Sequence, residues 1–287
     1  MKLVTVLTLS FVVFLWGSSF TALKLGLEEI PPITLAFLRF LIALPLLTAI
    51  TYSRKRHAIG GNIVKDWKTF SVLGLTGVTL FQAFQNFGLR FTTASNSSLI
   101  ISANPVFIAL LDHFYLKERM TLRRIFGVAV AFFGVIIIVR PLEWSLHLMG
   151  VVGDLLSLDA ALCWAFYSIL GRNVLSKYDA DEVTTFSMIL GTLFMLPIVL
   201  TFEKPVLPTH AWIWFLLLFL SLLCSGLAYL FWSKALEDVS ATQAGVFLFF
   251  IPAVSVSIAH IVLLEPLDLF FAIGALLVTI GVAITER

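Results

Sequence analysis

Charge is scarce in this chain. Aspartate, glutamate, lysine and arginine make up 13% of its 287 residues, about half the share found in a soluble domain. That shortage excludes an ordinary cytosolic enzyme and a disordered segment, both of which need more polar surface. A net charge of +2 implies no polyanionic partner, so no nucleic acid is expected. Cysteine is nearly absent: Cys163 and Cys224 both lie in apolar runs, which excludes a disulfide frame or a cysteine metal cluster. There is no phosphate-binding glycine loop, no metal-ligand spacing and no nucleophile–base pair. No cofactor is therefore expected, and ATP is not expected to drive this chain alone. The first apolar stretch lacks a small-residue cleavage site and reads as a membrane span, not a removed signal. No soluble domain is expected at either end.

What is abundant is apolar. Hydrophobic residues make up 60% of the chain, with a mean hydropathy of +1.02. A membrane-crossing helix takes about 20 such residues. Breaks at proline, glycine and charge clusters divide the chain into ten spans: 4–27, 33–52, 70–89, 95–115, 122–139, 150–170, 183–202, 212–236, 242–263 and 267–284. The links between the third and fourth spans and between the eighth and ninth are very short.

Lysine and arginine collect in cytoplasmic loops. With the N-terminus inside, fourteen fall inside, among them Arg54, Lys55, Arg56, Lys117, Arg119, Arg123 and Arg124. Four fall outside (Lys24, Arg90, Arg140 and Lys204), and Arg39 lies within a span. An even number of spans places both termini in the cytoplasm. The basic run 54–56 reads as a topology signal that also touches anionic lipid.

The sequence repeats at an offset of 147. Leu89-to-Pro105 lies over Leu236-to-Pro252, Glu118 over Glu265, Gly127 over Gly274, Gly134 over Gly281 and Arg140 over Arg287. Trp16 matches Trp164 with one residue inserted. Five spans is an odd number, so the second copy must enter the membrane from the opposite face. The loops agree: 117–124 is basic, and its counterpart 264–268 contains no base. Inverted repeats are typical of alternating-access carriers, with the site near the midplane between the halves.

Several motifs carry a resemblance. Trp16-Gly17-Ser18-Ser19-Phe20, Pro31-Pro32, Leu38-Arg39-Phe40, Thr93-Ala94-Ser95, Asn104-Pro105-Val106-Phe107 and Glu118-Arg119 resemble the first EamA domain. Gly153-Asp154-Leu155-Leu156 and Cys163-Trp164-Ala165-Phe166-Tyr167 resemble the opening of a second. The chain resembles the EamA family of the drug/metabolite transporter superfamily along nearly its whole length. The resemblance implies an all-α polytopic membrane protein of ten transmembrane helices, built as two inverted five-helix repeats at 1–143 and 147–287. It implies export of small metabolites, often amino acids or their relatives, and names no substrate. The second copy departs from the pattern at Met188–Gly191, where no arginine faces Arg39.

The candidate site is drawn from polar and aromatic groups inside the spans, because ionisable groups there are costly and default to function. Arg39 and Asp159 fall at similar depth. They are read either as a substrate carboxylate site with an amine or proton site, or as an internal ion pair. Asp159, Cys163 and Tyr167 share a helical face, with Trp164 beside it. Trp16, Trp164 and Trp232 lie away from the interfacial belt formed by Trp67, Trp144, Trp212 and Trp214. They either pack helices or wall a cavity, where they favour flat, apolar or cationic groups. Gln82, Gln85 and Asn86 share a face, and Gln82 and Gln85 correspond to Tyr229 and Trp232 in the second copy. Lining competes there with interhelical hydrogen bonding. Ser19, Ser102 and Asn104 complete the substrate-binding set. Pro105 and Pro252 are read as a gate or a fixed kink. His113 and His260 read as solvated interfacial groups, and Glu118 and Glu265 as caps of the helices that follow them. The paired glycines form a close-packing stripe, within one molecule or in a homodimer.

The function expected is export of a small amphipathic metabolite through a central cavity in the inner membrane, by a monomer or homodimer, with proton or ion coupling open. The spans expected to line the cavity are the first, third, fourth, sixth, eighth and ninth. The main rival is a membrane-embedded enzyme acting on a lipid or isoprenoid, for which Asp112 with His113 is the faint signal. A passive channel is the other.

Overall fold

The computed structural model describes residues 2–54, 65–102, 104–115, 121–139, 148–265 and 269–286. All regular structure among them is helical. Helix α1 is Leu3–Gly26 and α2 is Pro32–Arg54. Helix α3 runs unbroken over 67–91, but Leu75–Leu80 within it is π-helix. Helices α4 (Ala94–Ile101), α5 (Asn104–Tyr115), α6 (Leu122–Val139), α7 (Leu148–Val174) and α8 (Ala180–Phe202) follow. Helix α9 runs over 211–238 with π-helix at Phe219–Leu227. Helices α10 (Ala241–Leu248), α11 (Ile251–Leu263) and α12 (Leu269–Glu286) close the chain.

Six stretches are long and apolar enough to cross a membrane: Leu3–Gly26, Pro32–Ser53, Met149–Val174, Ala180–Phe202, Ala211–Asp238 and Gln243–Leu263. The other expected spans are shorter or more polar. The apolar parts of α6 and α12 are Ile125–Gly134 and Ala272–Gly281, and α3 carries Gln82, Gln85, Asn86 and Arg90. The fourth expected span is divided between α4 and α5, and the ninth turns at 249–250. Pro105 and Pro252 therefore do not kink a continuing helix. Each is the second residue of a new one, where a missing N–H removes no helical bond. Large apolar side chains such as Phe14, Leu193, Leu200 and Phe215 are exposed on the outside of the bundle, as a lipid solvent permits.

The two halves repeat in space as in sequence. The π-helical stretches fall at matching positions. The hydroxyl of Thr76 bonds back to the Val72 carbonyl at 2.8 Å, and that of Ser221 bonds back to Leu217. Such back-bonds compete with the backbone ladder and loosen it. Lys24 donates to the carbonyls of Leu89 (2.6 Å) and Thr92 (2.5 Å), closing the C-terminus of α3. Arg172, the matching residue of the second half, donates to Leu236, the matching carbonyl at the end of α9. A cation on the last carbonyls is the favoured partner for a helix C-terminus.

Acidic residues close N-termini across the fold. Glu203 accepts from the N–H groups of Ile33 (2.9 Å) and Thr34 (2.7 Å) at the start of α2. Glu265 accepts from Ala94 (3.1 Å) and Ser95 (3.2 Å) at the start of α4. The sequence assigned Glu265 to the helix that follows it; the structure assigns it to a helix of the other half. Glu118, its counterpart, lies outside the described residues, as do Trp144, Arg140 and Arg287.

The glycine stripes pack within the molecule. A Cβ on Gly281 would lie 2.5 Å from the Ala131 nitrogen and 2.6 Å from the Gly127 carbonyl. An early turn of α6 thus meets a late turn of α12. Close backbone approach also joins α3 to α8 at Gly74 and Gly191, and α3 to α7 at Gly88 and Gly153.

Asp66 at the start of α3 bonds to Lys177 and Tyr178 in the link between α7 and α8. The hydrogen bond from Lys177, and then that from Tyr178, hold its carboxyl below the usual carboxylate range.

Two predictions follow from this packing. Gly281→Leu should lower the thermal midpoint in detergent, with an overpacking cost of about 1–3 kcal/mol. Gly171→Ala, where an added Cβ meets nothing within 4 Å, should leave it unchanged or raise it. Because the Asp66 carboxyl is depressed, its stabilisation is complete above about pH 4 and is lost as pH falls through the lower folded value. Stability curves of wild type and Asp66→Asn should therefore differ at neutral pH and converge in acid.

Candidate functional site

The halves meet around a narrow cavity. Its walls include Trp16, Ser19 and Phe20 from α1, Arg39 from α2, and Phe81, Gln82 and Gln85 from α3. Ile101 and Asn104, Trp164, Tyr229, Leu248 and Ile251 complete it. This is a largely apolar cleft with a few convergent polar groups, the usual form of a small-molecule site.

Its floor is a cluster of rings. Trp16 meets Trp164 edge-on at 4.9 Å between centroids and Tyr229 at 5.7 Å. Trp164 also contacts Phe81 at 5.0 Å, Tyr167 at 5.2 Å and Trp232 at 5.7 Å. Trp232 is fully buried behind Trp16 and Trp164, and Tyr167 packs below the floor with its phenol near Ser187 and Ser233. Neither belongs to the cavity wall. The close contact between Gly77 and the Tyr167 ring leaves no room for a Cβ: one there would lie 2.2 Å from that ring.

The polar groups form one network. Arg39 is 2% exposed. Its Nε donates to the Ser225 hydroxyl at 2.8 Å and its Nη1 to Gln82 Oε1 at 3.0 Å. Gln82 Nε2 donates to the Tyr229 hydroxyl at 3.1 Å. Gln82 and Tyr229 are 147 residues apart, so repeat equivalents touch each other at the join of the halves. The Tyr229 hydroxyl donates in turn to the Gly77 carbonyl at 3.0 Å. Trp16 Nε1 donates to the Cys224 carbonyl at 3.0 Å. Gly77 and Cys224 are themselves equivalents, each in its π-helical stretch. Trp164 is the equivalent of Trp16, yet its indole N–H is buried without a partner. The carbonyl it would be expected to match is held by Tyr229.

The structure gathers Trp16, Ser19, Arg39, Gln82, Gln85, Asn104, Trp164 and Tyr229 around one cavity. It separates Asp159 from them. Asp159 lies on an exposed face of α7, and Arg39 spends its bonds on Ser225 and Gln82. The expected Arg39–Asp159 pair does not form, because similar depth does not fix the direction in which a helix faces. Ser102 turns its hydroxyl back to the Ser98 carbonyl at 2.7 Å and is not part of the wall. Asn86 donates to the Pro32 carbonyl at 2.9 Å, which joins α3 to α2. The Asp112 and His113 side chains lie outside the described residues. Among the described residues no group of three His, Cys, Asp or Glu is placed to hold a metal ion.

Sequence reasoning missed Ser225 and the apolar wall of Phe20, Ile101, Leu248 and Ile251. The apolar residues carry no signal that separates them from their neighbours. Ser225 was open to discovery, because it is one residue from the counterpart of Gly77 in a small-residue run. Asp154 accepts from the Thr92 hydroxyl at 2.7 Å, a partner that its motif does not indicate.

The profile of the EamA-like transporter family matches residues 3–140 and 151–287. Two proteins of Archaeoglobus fulgidus, both named uncharacterized transporters, are similar along the whole length. One is 37% identical, covering 98% of this chain and 96% of its own. The other is 33% identical, covering 98% of both. A protein of Streptantibioticus cattleyicolor named a probable terminal-alkyne amino-acid exporter is 27% identical, covering 95% of this chain and 90% of its own. A solved crystal structure covers 99% of this chain and 96% of its own with a TM-score of 0.77; at 20% identity it shows the fold alone.

The network predicts unequal costs for its members. Tyr229→Phe leaves the Gly77 carbonyl and the Gln82 amide short of a partner and should destabilise by about 1–3 kcal/mol. Trp164→Phe removes an indole N–H that has no partner, so that part of the change should cost nothing. Thermal unfolding of the two variants, combined with an unfolding enthalpy, measures the difference.

Proposed function

The chain belongs to the EamA-like transporter family, and we propose that it exports a small metabolite by alternating access around this cavity. Ten spans cross the inner membrane as two oppositely threaded halves, 1–143 and 147–287, with both termini in the cytoplasm. Trp16, Ser19, Arg39, Gln82, Gln85, Asn104, Trp164 and Tyr229 hold the substrate. Tyr167 and Trp232 form part of the barrier beneath it. The unit acts as a monomer or homodimer, with membrane lipid as its solvent. Coupling is to a proton or ion gradient, or transport runs by exchange.

One observation carries this reading. Equivalent atoms of equivalent halves hold different partners: the Cys224 carbonyl takes the Trp16 indole, while the Gly77 carbonyl takes Tyr229 and leaves Trp164 without a bond. Two inverted copies with unequal contacts have a second arrangement in which those contacts are exchanged. In that arrangement Trp164 bonds the Gly77 carbonyl of the other half and the open side of the cavity moves to the other face. The barrier between the two arrangements is lowered where the backbone is already irregular, at the π-helical stretches. The name of the Streptantibioticus cattleyicolor relative supports an amino acid or a relative of one as cargo.

The test uses the substrate found by an unbiased screen of metabolites released from overexpressing cells. In proteoliposomes the wild type should show saturable counterflow. Trp164→Ala and Gln82→Ala should abolish it while remaining folded and monodisperse. Flux that rises linearly with concentration and shows no counterflow would identify a pore instead, and normal kinetics in both variants would remove the lining assigned here.

A further inference from the structure

We infer that Glu29 and His210 form a pH-sensitive clasp, which closes the outer ends of the two halves on each other when that face is acidic. Its effect on transport rests on the carrier reading above; the clasp itself does not. Glu29 is the third residue before α2, and His210 is the residue before α9. Lys177 is the third residue before α8, and Asp66 is the residue before α3. Helices α2 and α8 are repeat equivalents, as are α3 and α9, so inversion places these two junctions at opposite faces. Both are made: Glu29 bonds to His210, and Asp66 bonds to Lys177. Each joins the first half to the second. The acid and the base have changed places between them. At the inner face the base is a lysine, supported by the Tyr178 hydroxyl on the same carboxylate. At the outer face it is a histidine.

A lysine holds its charge across the physiological range, whereas a histidine changes charge between about pH 5 and 8. Glu29 stays anionic there. Desolvation pushes its carboxyl up, but the bonds from the Thr209 backbone, His210 and the Thr209 hydroxyl outweigh this and hold it below the usual carboxylate range. The two Thr209 bonds, 3.0 Å from the N–H and 3.1 Å from the hydroxyl, do not depend on the charge of the imidazole. They keep the groups in register, and an imidazolium then adds an ion pair that a neutral ring does not. The segment that carries His210 is fixed at both ends. Glu203 accepts from Ile33 and Thr34 at the start of α2, and Trp214 Nε1 donates to the Pro208 carbonyl at 3.1 Å. The His210 side chain is 66% exposed and so samples the outer solution. The other charged groups at this end are Glu28 beside Glu29, Lys24 on the last turn of α1, and Glu203 and Lys204. Lys24 is engaged by the Leu89 and Thr92 carbonyls. None of the four is a histidine, so the charge change near neutrality belongs to His210. An exposed pair of this kind shifts an equilibrium by about two- to fivefold. It biases the cycle toward the outward-closed arrangement and does not drive it.

The test reads access to the cavity from outside. Phe20→Cys supplies a reporter thiol in the cavity wall, with Cys163→Ser to remove the half-buried native one. Ser19→Cys is a second reporter should the first fail to fold. Whole cells are labelled with a membrane-impermeant maleimide at an external pH of about 5.5 and of about 8, either side of the histidine range. Each rate is divided by that of the same reporter carrying His210→Gln at the same pH, which cancels the thiol's own response to pH. The ratio should be lower in acid by about two- to fivefold. His210→Lys, which copies the inner junction, should label slowly in both conditions, and Glu29→Gln should abolish the difference. In detergent, the thermal midpoints of Glu29→Gln, His210→Gln and the double variant should be non-additive in acid and closer to additive in alkali. A ratio that ignores external pH, a difference that persists in Glu29→Gln, additive midpoints in acid, or no labelling from outside in alkali would overturn the inference. None of these outcomes touches counterflow in proteoliposomes. A chain whose clasp responds to pH but which shows no counterflow fails the carrier reading alone.

Discussion

In a bilayer no water reaches the backbone, so every helix that stops inside the protein must find partners for its last polar groups. The rest of this architecture depends on how that demand is met. The chain meets it with charged side chains borrowed from other helices: Lys24 and Arg172 on the ends of α3 and α9, Glu203 and Glu265 on the starts of α2 and α4. The glutamates reach between halves. Each closure therefore ties helices together while it terminates one of them, and the membrane-surface ends of the bundle become fixed points. The irregular backbone is left in the middle, where each π-helical stretch runs directly into the helical turns that carry Phe81 and Gln82, and Tyr229, of the cavity wall.

Much of this was legible in the residues. The offset of 147 predicted pairs that the structure realises physically, above all Gln82 against Tyr229, and the glycine stripes, which turn out to face each other inside one molecule. Trp16, Ser19 and Arg39, candidates from the first two helices, line one cavity. What failed was what depends on rotation about a helix axis. Asp159 and Arg39 match in depth but not in facing, and Ser102 has a near backbone carbonyl that outcompetes a more distant partner. Glu265 was assigned to the nearest helix in sequence, when the nearest N-terminus in space belongs to the other half. The division of the fourth and ninth spans was hidden because a proline reads the same whether it bends a helix or begins one.

The floor of the cavity shows how departure from symmetry is accommodated. The indoles of Trp16 and Trp164 are edge-to-face, an arrangement favourable to both rings. Only one finds an acceptor. Tyr229 occupies the position that Gln82 holds in the first half, and its longer reach lets it take the carbonyl that Trp164 would otherwise use. A single exchange of side-chain type thus leaves the two indoles with different partners.

The contact between Gln82 and Tyr229 has a consequence for ancestry. Side chains beside a two-fold axis face their own counterparts. In an assembly of two identical subunits, a lone arginine at position 39 would be impossible: there would be a second guanidinium at the related place. Joining two copies in one polypeptide removes that obligation. One copy can then hold the cation and the other a neutral residue, so the covalent link is what allows this molecule a single, unduplicated positive centre.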